Sequence, residues 1–217
     1  MGYTTAFDAA IPPLFARQAH AELDDTPCID KGFFVLVGND HCAMDAMARR
    51  DPQRLQAYLA WLLGAVRGYS LKLVNPGGVE AWKQDRTHDR WGLDDEVPSF
   101  RVTPRTILRE MAAAADALQL PHAAHIHANH LGVPGNWRAT LATMQALEGH
   151  RGHMAHIQFH SYGGGPGDGG GFRSATEPLL DYFHAHPNIT VDVGQILFGA
   201  TTCLTGDGPL GYYLARI

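Results

Sequence analysis

The chain has 217 residues; 45% are hydrophobic and 18% are charged, below the roughly 25% charged residues of an average soluble domain. This balance excludes intrinsic disorder, and the length allows a sizeable core. The net charge of -5 gives no indication of a nucleic acid or an anionic membrane surface as a partner. No apolar run reaches the ~20 residues that span a bilayer. The three scattered cysteines exclude a disulfide scaffold and favour a reducing, cytoplasmic location.

Strand-like and helix-like segments alternate along the whole chain. Strands are predicted over residues 1–8, 32–38, 69–75, 123–129, 153–160 and 189–196. Helices are predicted over residues 13–23, 44–66, 104–118, 137–147 and 177–184, and a short apolar segment follows at 210–217. Thr103 before Pro104 is a typical helix start, and Asn136 and Thr176 are predicted to cap the two later helices.

This alternation predicts an α/β fold with a parallel sheet and helical crossovers. Residues 33–37 are apolar throughout, as expected for a strand whose two faces are both buried. There is no internal repeat and no interdomain linker, so residues 1–217 are predicted to form a single domain. The glycine-rich segment 163–171 is predicted to be a loop, and it lacks the spacing of a dinucleotide-binding turn.

Lys72 lies in the middle of an apolar predicted strand, where a buried ammonium group would be costly. One interpretation is a lysine that points outward and extends to water between the helices. The functional interpretation is a neutral lysine. Its pKa is then lowered for base chemistry, or CO2 has carboxylated it to a carbamate that bridges metal ions.

Eight of the 13 histidines fall between residues 122 and 160. Alternation along a strand predicts that His125, His127 and Asn129 share one face. On the next strand, the same rule predicts one face carrying Met154, His156, Gln158 and His160. Two neighbouring strands with histidines on one face favour a metal cluster, since imidazole suits zinc and related metals. The alternative is a hydrogen-bonded histidine network without metal.

Two other side chains are weaker candidates. Asp192 lies inside a predicted strand and is interpreted as a metal ligand, a general base or a structural carboxylate. Cys203 is interpreted as an apolar filler without a functional role.

Several segments of the chain resemble one known group of proteins. The chain is similar to the A subunits of formylmethanofuran dehydrogenase and of the formyltransferase/hydrolase complex, within the amidohydrolase superfamily. The similar segments are residues 1–5, 71–76, 125–129, 131–136, 158–164 and 192–195.

The resemblance implies a (β/α) barrel of the TIM type with two divalent metals, usually zinc. Lys72 matches the carboxylated, bridging lysine of barrel strand four, His127 the ligand of strand five and His156 the ligand of strand six. His125 is expected to support His127 from one layer deeper. Asn75, Asn129, His160 and Arg173 lie at or beyond strand ends and are expected to hold the substrate or a tetrahedral oxyanion.

Two elements of the family's metal site have no match in this chain. The family has a His-x-His pair on strand one, and no such pair precedes Lys72. It also has a general-base aspartate on strand eight, which we expect beyond Ile217. The chain is therefore expected to form a partial barrel, about strands two to seven, and to be inactive by itself.

The reaction implied by the resemblance is the hydrolysis of N-formylmethanofuran to formate and methanofuran, or its reverse. Arginine supplies 14 of the 17 basic residues, which favours the bacterial methylotroph complex in formaldehyde oxidation. The expected partners are the other subunits of the complex and a methanofuran-type one-carbon carrier. The alternatives are an archaeal-type formylmethanofuran dehydrogenase subunit for CO2 reduction, a hydantoinase-like or deacetylase-like amidohydrolase, and a catalytically inactive scaffold subunit.

Overall fold

A computed structural model describes residues 2–85, 92–165 and 173–194. Four features predicted from the sequence lie outside these ranges. They are Cys203, the apolar segment 210–217, the last two residues of the strand predicted over 189–196, and most of the glycine-rich segment 163–171.

Six parallel strands form the main sheet, and each strand pairs with the next one along the chain. The strands are β1 Thr5–Ile11, β2 Asp30–Leu36, β3 Ser70–Val74, β4 Ala124–His127, β5 Gly152–Met154 and β8 Ile189–Val191. A short antiparallel pair, β6 Tyr162–Gly163 with β7 Arg173–Ser174, lies between β5 and β8 in the sequence. A parallel sheet in consecutive order with helical crossovers is the arrangement of a (β/α) barrel, so the predicted fold class is confirmed as a partial barrel.

Seven α-helices are described in the connections between the strands. They are α1 Ala16–Asp24, α2 His41–Ala48, α3 Pro52–Val66, α4 Gly78–Gln84, α5 Pro104–Ala117, α6 Trp137–Gln145 and α7 Glu177–Ala185, with 3-10 helices at Pro13–Phe15 and Ile157–His160. Within the described ranges, no helix has the length and apolar character needed to cross a membrane.

The core lies between the sheet and the helices. Val35, Leu71 and Ile126 of neighbouring strands are fully buried, as are Ile107 and Met111 on the inner side of α5. Helix α5 begins as predicted, since the hydroxyl of Thr103 accepts a hydrogen bond from the backbone N–H of Thr106. Apolar packing on both sides of the strands fixes the ends of the strands, where the polar side chains gather.

The strand predicted over residues 153–160 is wrong beyond Met154. His156 has a left-handed backbone (φ 37°), and the chain continues as the 3-10 helix Ile157–His160. The alternation that was predicted for Met154, His156, Gln158 and His160 therefore does not exist. His156 and His160 are instead separated by one tight helical turn.

Three further predictions about helices are corrected. The helix predicted over 44–66 is two helices, because Asp51 accepts a hydrogen bond from the Arg54 N–H and starts α3 with Pro52 in its first turn. Asn136 and Thr176 have helical backbone angles and make no side-chain capping bond. The side chain of Asn136 bonds to other loops instead. Helix α4 and the β6–β7 pair were not predicted.

An ion pair joins the end of α5 to the loop before β5. Asp116 accepts hydrogen bonds from Arg151 Nε at 2.6 Å and from the Arg151 backbone N–H at 3.1 Å, and His150 Nδ1 lies at 3.1 Å. Partial burial raises the pKa of Asp116, but the bonds from Arg151 and His150 outweigh it and leave the pKa below its ordinary value of 3.8. The pair therefore stabilises the fold at neutral pH, and this stabilisation is lost as the pH falls through the lowered pKa.

We expect Asp116→Asn to lower the free energy of unfolding at neutral pH by about 1 kcal/mol, a value limited by the exposure of Arg151. Below pH 3.8 the difference from the wild type should shrink, because the wild-type carboxyl group is then increasingly protonated. Urea unfolding of the intact subunit at both pH values measures the effect. Asp94→Asn is the control, since Asp94 pairs with Arg105 at the same 2.6 Å but is largely exposed, and its loss should cost less. Equal losses from the two variants would contradict the expectation.

Candidate metal centre

The carboxyl ends of β3, β4 and β5 meet at one edge of the sheet and carry the candidate residues. The parallel register places Lys72 beside His125 and places Val74 beside His127. His153 on β5 lies beside His125 in turn. Lys72, His125 and His153 therefore share one level of the sheet, and His127 lies two residues nearer to the carboxyl edge.

Three histidines form a compact group at this edge, which we call the imidazole cluster: His127, His156 and His160. Each contributes one ring nitrogen to a set whose members all lie within 4.8 Å of one another. The centroid of the His127 ring lies 4.7 Å from that of His156 and 5.2 Å from that of His160. The turn that begins at His156 brings His160 back against His127, so the two corrected positions still converge.

The imidazole cluster is electrically neutral near pH 7. Burial, followed by the charges of neighbouring side chains, lowers the pKa of His127 and His160 well below the ordinary value of 6.5, and burial also lowers the pKa of His156. His160 is fully buried, and among the described residues neither of its ring nitrogens has a hydrogen-bond partner. Buried polar atoms without partners are costly unless a ligand satisfies them. Neutral, converging imidazoles therefore fit a divalent metal of the zinc type.

Lys72 lies directly below the imidazole cluster and is buried. Its Nζ lies 2.6 Å from His125 Nδ1, and only 3% of its surface is exposed, so the interpretation of an outward lysine is wrong. Burial lowers the pKa of Lys72 to about 8, although Asp192 acts in the opposite direction. A larger fraction of Lys72 is therefore neutral near pH 7 than for an exposed lysine, whose ordinary pKa is 10.5.

A second group of side chains lies one level deeper and contains His125, His153 and Asp192. His153 Nε2 lies 2.9 Å from Asp192 Oδ2, and its Nδ1 lies 2.8 Å from the hydroxyl of Thr190. Asp192 Oδ1 also accepts a hydrogen bond from the backbone N–H of His156. Asp192 therefore has a structural part in holding the turn that carries His156 and His160.

His153 was not predicted as a functional residue. Alternation along the predicted strand places His153 on the face opposite to His156. The structure changes this because the chain leaves the strand after Met154, and the sheet register then aligns His153 with His125. The crowding of histidines between residues 122 and 160 was the only signal for it in the sequence.

The remaining predicted site residues lie in different surroundings. Asn75 follows β3, is buried and has a left-handed backbone (φ 42°), and its N–H donates to the carbonyl of His127. Asn129 is buried beyond β4, and its Nδ2 donates to the carbonyl of Pro76 at 3.3 Å. Arg173 is exposed on β7, paired with Gly163. The structure therefore joins Asn75 to the His127 backbone and places Arg173 on the small hairpin.

Comparison with known proteins identifies the family. The model of the amidohydrolase family matches residues 1–208. The chain belongs to the amidohydrolase family. This amidohydrolase is 42% identical over 230 aligned residues to protein FwdA of Methanocaldococcus jannaschii, covering 99% of the chain and 39% of FwdA. It is 39% identical over 213 aligned residues to FhcA, the first subunit of the formyltransferase/hydrolase complex Fhc of Methylorubrum extorquens, covering 95% of the chain and 38% of FhcA.

The fold of this amidohydrolase agrees with a solved relative. It superposes with a TM-score of 0.85 and 39% identity on a chain of the formyltransferase/hydrolase complex FhcABCD from Methylorubrum extorquens, solved with methylofuran. The match covers 91% of this amidohydrolase and 36% of that chain. The family resemblance found in the sequence is thus confirmed. The amidohydrolase spans less than two fifths of the length of these relatives.

Proposed function

We propose that this amidohydrolase is the barrel portion of a subunit that hydrolyses an N-formylated methanofuran-type amine to formate and the free amine. The observation that carries the proposal is the imidazole cluster of neutral, buried histidines directly above the buried Lys72. The similarity over nearly the whole chain to FhcA of a formyltransferase/hydrolase complex supports the choice of a formamide substrate.

We propose that His127 and His156, joined by His160, hold a divalent metal, with zinc the best match to imidazole ligands. When bound, such a metal supplies Lewis-acid chemistry, which polarises a carbonyl oxygen and lowers the pKa of water toward about 7. The part of the chain is to keep three imidazoles neutral, converging and shielded from bulk water. The resemblance implies a second metal, whose His-x-His ligands have no match in this chain.

Lys72 is proposed to bridge the two metals as a carbamate. The neutral amine attacks the carbon of CO2, a C–N bond forms, and one amine proton passes to solvent, so that Lys72 gains two anionic oxygen ligands. A lysine that burial keeps partly neutral near pH 7 is suited to this reaction. An amine acting as a base instead would need the same neutral state, and only an experiment that removes Lys72 separates the two roles.

The substrate is proposed to lie over the same edge of the sheet. Asn75 and Asn129, at the ends of β3 and β4, are placed to orient the formyl group, and Arg173 on the hairpin would contact a more distant part of the carrier. The general-base aspartate that the resemblance implies beyond Ile217 would pass a proton to the leaving amine.

We propose that the other subunits of a formyltransferase/hydrolase complex are the partners, in a cytoplasmic complex of a methylotrophic bacterium. FwdA is about as similar as FhcA, so the reverse reaction, in which formate condenses with the amine, is the second candidate. The exposed free thiols of Cys28 and Cys42 are consistent with a reducing compartment.

Metal removal tests the proposed function. In the intact complex that contains the full-length subunit, we expect stoichiometric zinc, loss of formate release from the N-formyl carrier after chelation, and recovery on adding zinc. A complex that carries no metal and releases no formate would contradict the proposal and favour a scaffold subunit. Formate consumption that requires an added redox subunit would favour the dehydrogenase alternative.

A further inference from the structure

Helix α6 packs directly behind the turn that carries His160. Two polar side chains at its start and in its first turn, Asn136 and Thr140, are almost completely buried. Neither is needed to start the helix, since Asn136 makes no capping bond to its own helix. Both point instead toward the segment from Phe159 to Tyr162.

Asn136 holds this segment on both sides of His160. Its Nδ2 donates to the carbonyl of Phe159 at 2.7 Å, and its Oδ1 accepts from the backbone N–H of Tyr162 at 2.9 Å. The same Nδ2 also donates to the carbonyl of His130 at 2.9 Å. One amide group therefore ties the loop after β4, which follows His127, to the turn that holds His160.

Thr140 holds His160 itself. Its hydroxyl lies 2.7 Å from the carbonyl oxygen of His160 and 3.2 Å from the carbonyl oxygen of Asn136, one helical turn back. The side chain is fully buried, so water does not compete for this bond. The backbone N–H of Gly132 adds a further bond to the carbonyl of Phe159 at 3.0 Å.

These bonds matter because the His160 ring has no other tether among the described residues. Both of its ring nitrogens lack a hydrogen-bond partner there, so no side-chain bond sets the ring orientation. The turn begins at the strained left-handed His156 and makes no capping bond at its start. A metal-binding imidazole has to be placed within about 0.5 Å of its productive position. Only the backbone contacts remain to do so.

We propose that Asn136 and Thr140 are positioning residues that aim the His160 imidazole at the metal by fixing its backbone. The assignment rests on the proposed function, because it takes His160 as a member of a metal-binding cluster. It adds a role for two side chains that touch neither metal nor substrate.

A pair of isosteric variants on one helix tests the proposal in the full-length subunit within its complex. Thr140→Val removes the bond to His160, and Thr140→Ser keeps it. Thr143→Val is the matched control, since the Thr143 hydroxyl is equally buried on α6 but donates to the carbonyl of Ala139 in its own helix. The dissociation constant for zinc is measured by competition with a chelator, and the unfolding temperature is measured on the metal-free protein.

We expect Thr140→Val to weaken zinc binding about tenfold, the lower end of the effect of residues that support metal ligands. Thr140→Ser and Thr143→Val should bind zinc like the wild type, and the two valine variants should unfold at similar temperatures without metal. Equal zinc affinity of Thr140→Val and Thr143→Val would overturn the proposal. A wild-type complex that binds no zinc would overturn the proposed function and this assignment together.

A second pair of variants decides the matter if Thr140→Val does not assemble. Asn136→Asp keeps an acceptor for the Tyr162 N–H but loses the donors to Phe159 and His130. Asn188→Asp is its control, because Asn188 Nδ2 donates to the carbonyl of His150, away from the imidazole cluster. Weaker zinc binding by Asn136→Asp than by Asn188→Asp supports the proposal, and equal binding overturns it.

Discussion

Replacing Lys72 with alanine is expected to remove the bridge between the metals and to lower formate release at least about a hundredfold, since even groups that only support a metal ligand cost 10- to 100-fold when lost. The burial of Lys72 and its 2.6 Å contact with His125 leave no solvent-exposed role for the side chain. Metal content and formate release from the intact complex measure the effect. Lys31→Ala is the control, because Lys31 lies at the start of β2 and bonds to the carbonyl of Thr26, far from the carboxyl edge of the sheet.

Chemical rescue of the Lys72→Ala variant distinguishes the two roles of the lysine. A short carboxylate such as acetate supplies anionic oxygen ligands in the vacated space, as the carbamate would. A small amine supplies a base instead. Recovery with acetate and not with methylamine is the result expected for a carbamate, and the opposite pattern would show that Lys72 acts as an amine. Full activity of Lys72→Ala without any additive would exclude both roles.

Replacing His160 with leucine is expected to have opposite effects on function and on stability. Leucine is apolar and similar in volume, so the variant removes two buried ring nitrogens that have no partner among the described residues. An unsatisfied buried polar group costs about 1–3 kcal/mol, so the metal-free variant should be more stable than the metal-free wild type by about 1 kcal/mol or more. Zinc binding and formate release should be lost together. Denaturant unfolding without metal, and zinc titration, measure the two effects.

A histidine that is already satisfied provides the control for this variant. His20 Nε2 lies 2.9 Å from the carbonyl oxygen of Val66, and its ring packs edge-on against Phe33. His20→Leu should therefore destabilise the metal-free protein, because it breaks a bond and leaves a carbonyl unpaired, and it should leave zinc binding unchanged. If His160→Leu also destabilised the metal-free protein, His160 would belong to a hydrogen-bonded network rather than to a metal site.

Much of the site was predictable from local patterns in the sequence. Apolar runs that alternate with helical segments specify a parallel sheet, and parallel strands collect their carboxyl ends at one edge. Lys72 in an apolar strand and the two histidines of β4 could be placed near that edge because a strand alternates strictly over a few residues. His127 and His156 were expected to face each other, and their rings lie 4.7 Å apart.

The details after Met154 depended on contacts between distant segments. The backbone N–H of Ala155 bonds to Ile126, and the N–H of His156 bonds to the Asp192 side chain 36 residues later, and these bonds end the strand. The left-handed His156 is strained by itself, so no local pattern predicts it. The same change of direction leaves His153 outside the imidazole cluster and brings His160 into it.

The amino-acid sequence by itself therefore determined the α/β class, the family and the positions of Lys72 and His127, because periodicity and buried charge are properties of short segments. The tertiary structure decided that His160 completes the imidazole cluster, that His153 pairs with Asp192, and that Asn136 holds the turn instead of capping α6. These three outcomes depend on hydrogen bonds between residues far apart in the chain, and such bonds form only after the sheet has set the register of its strands.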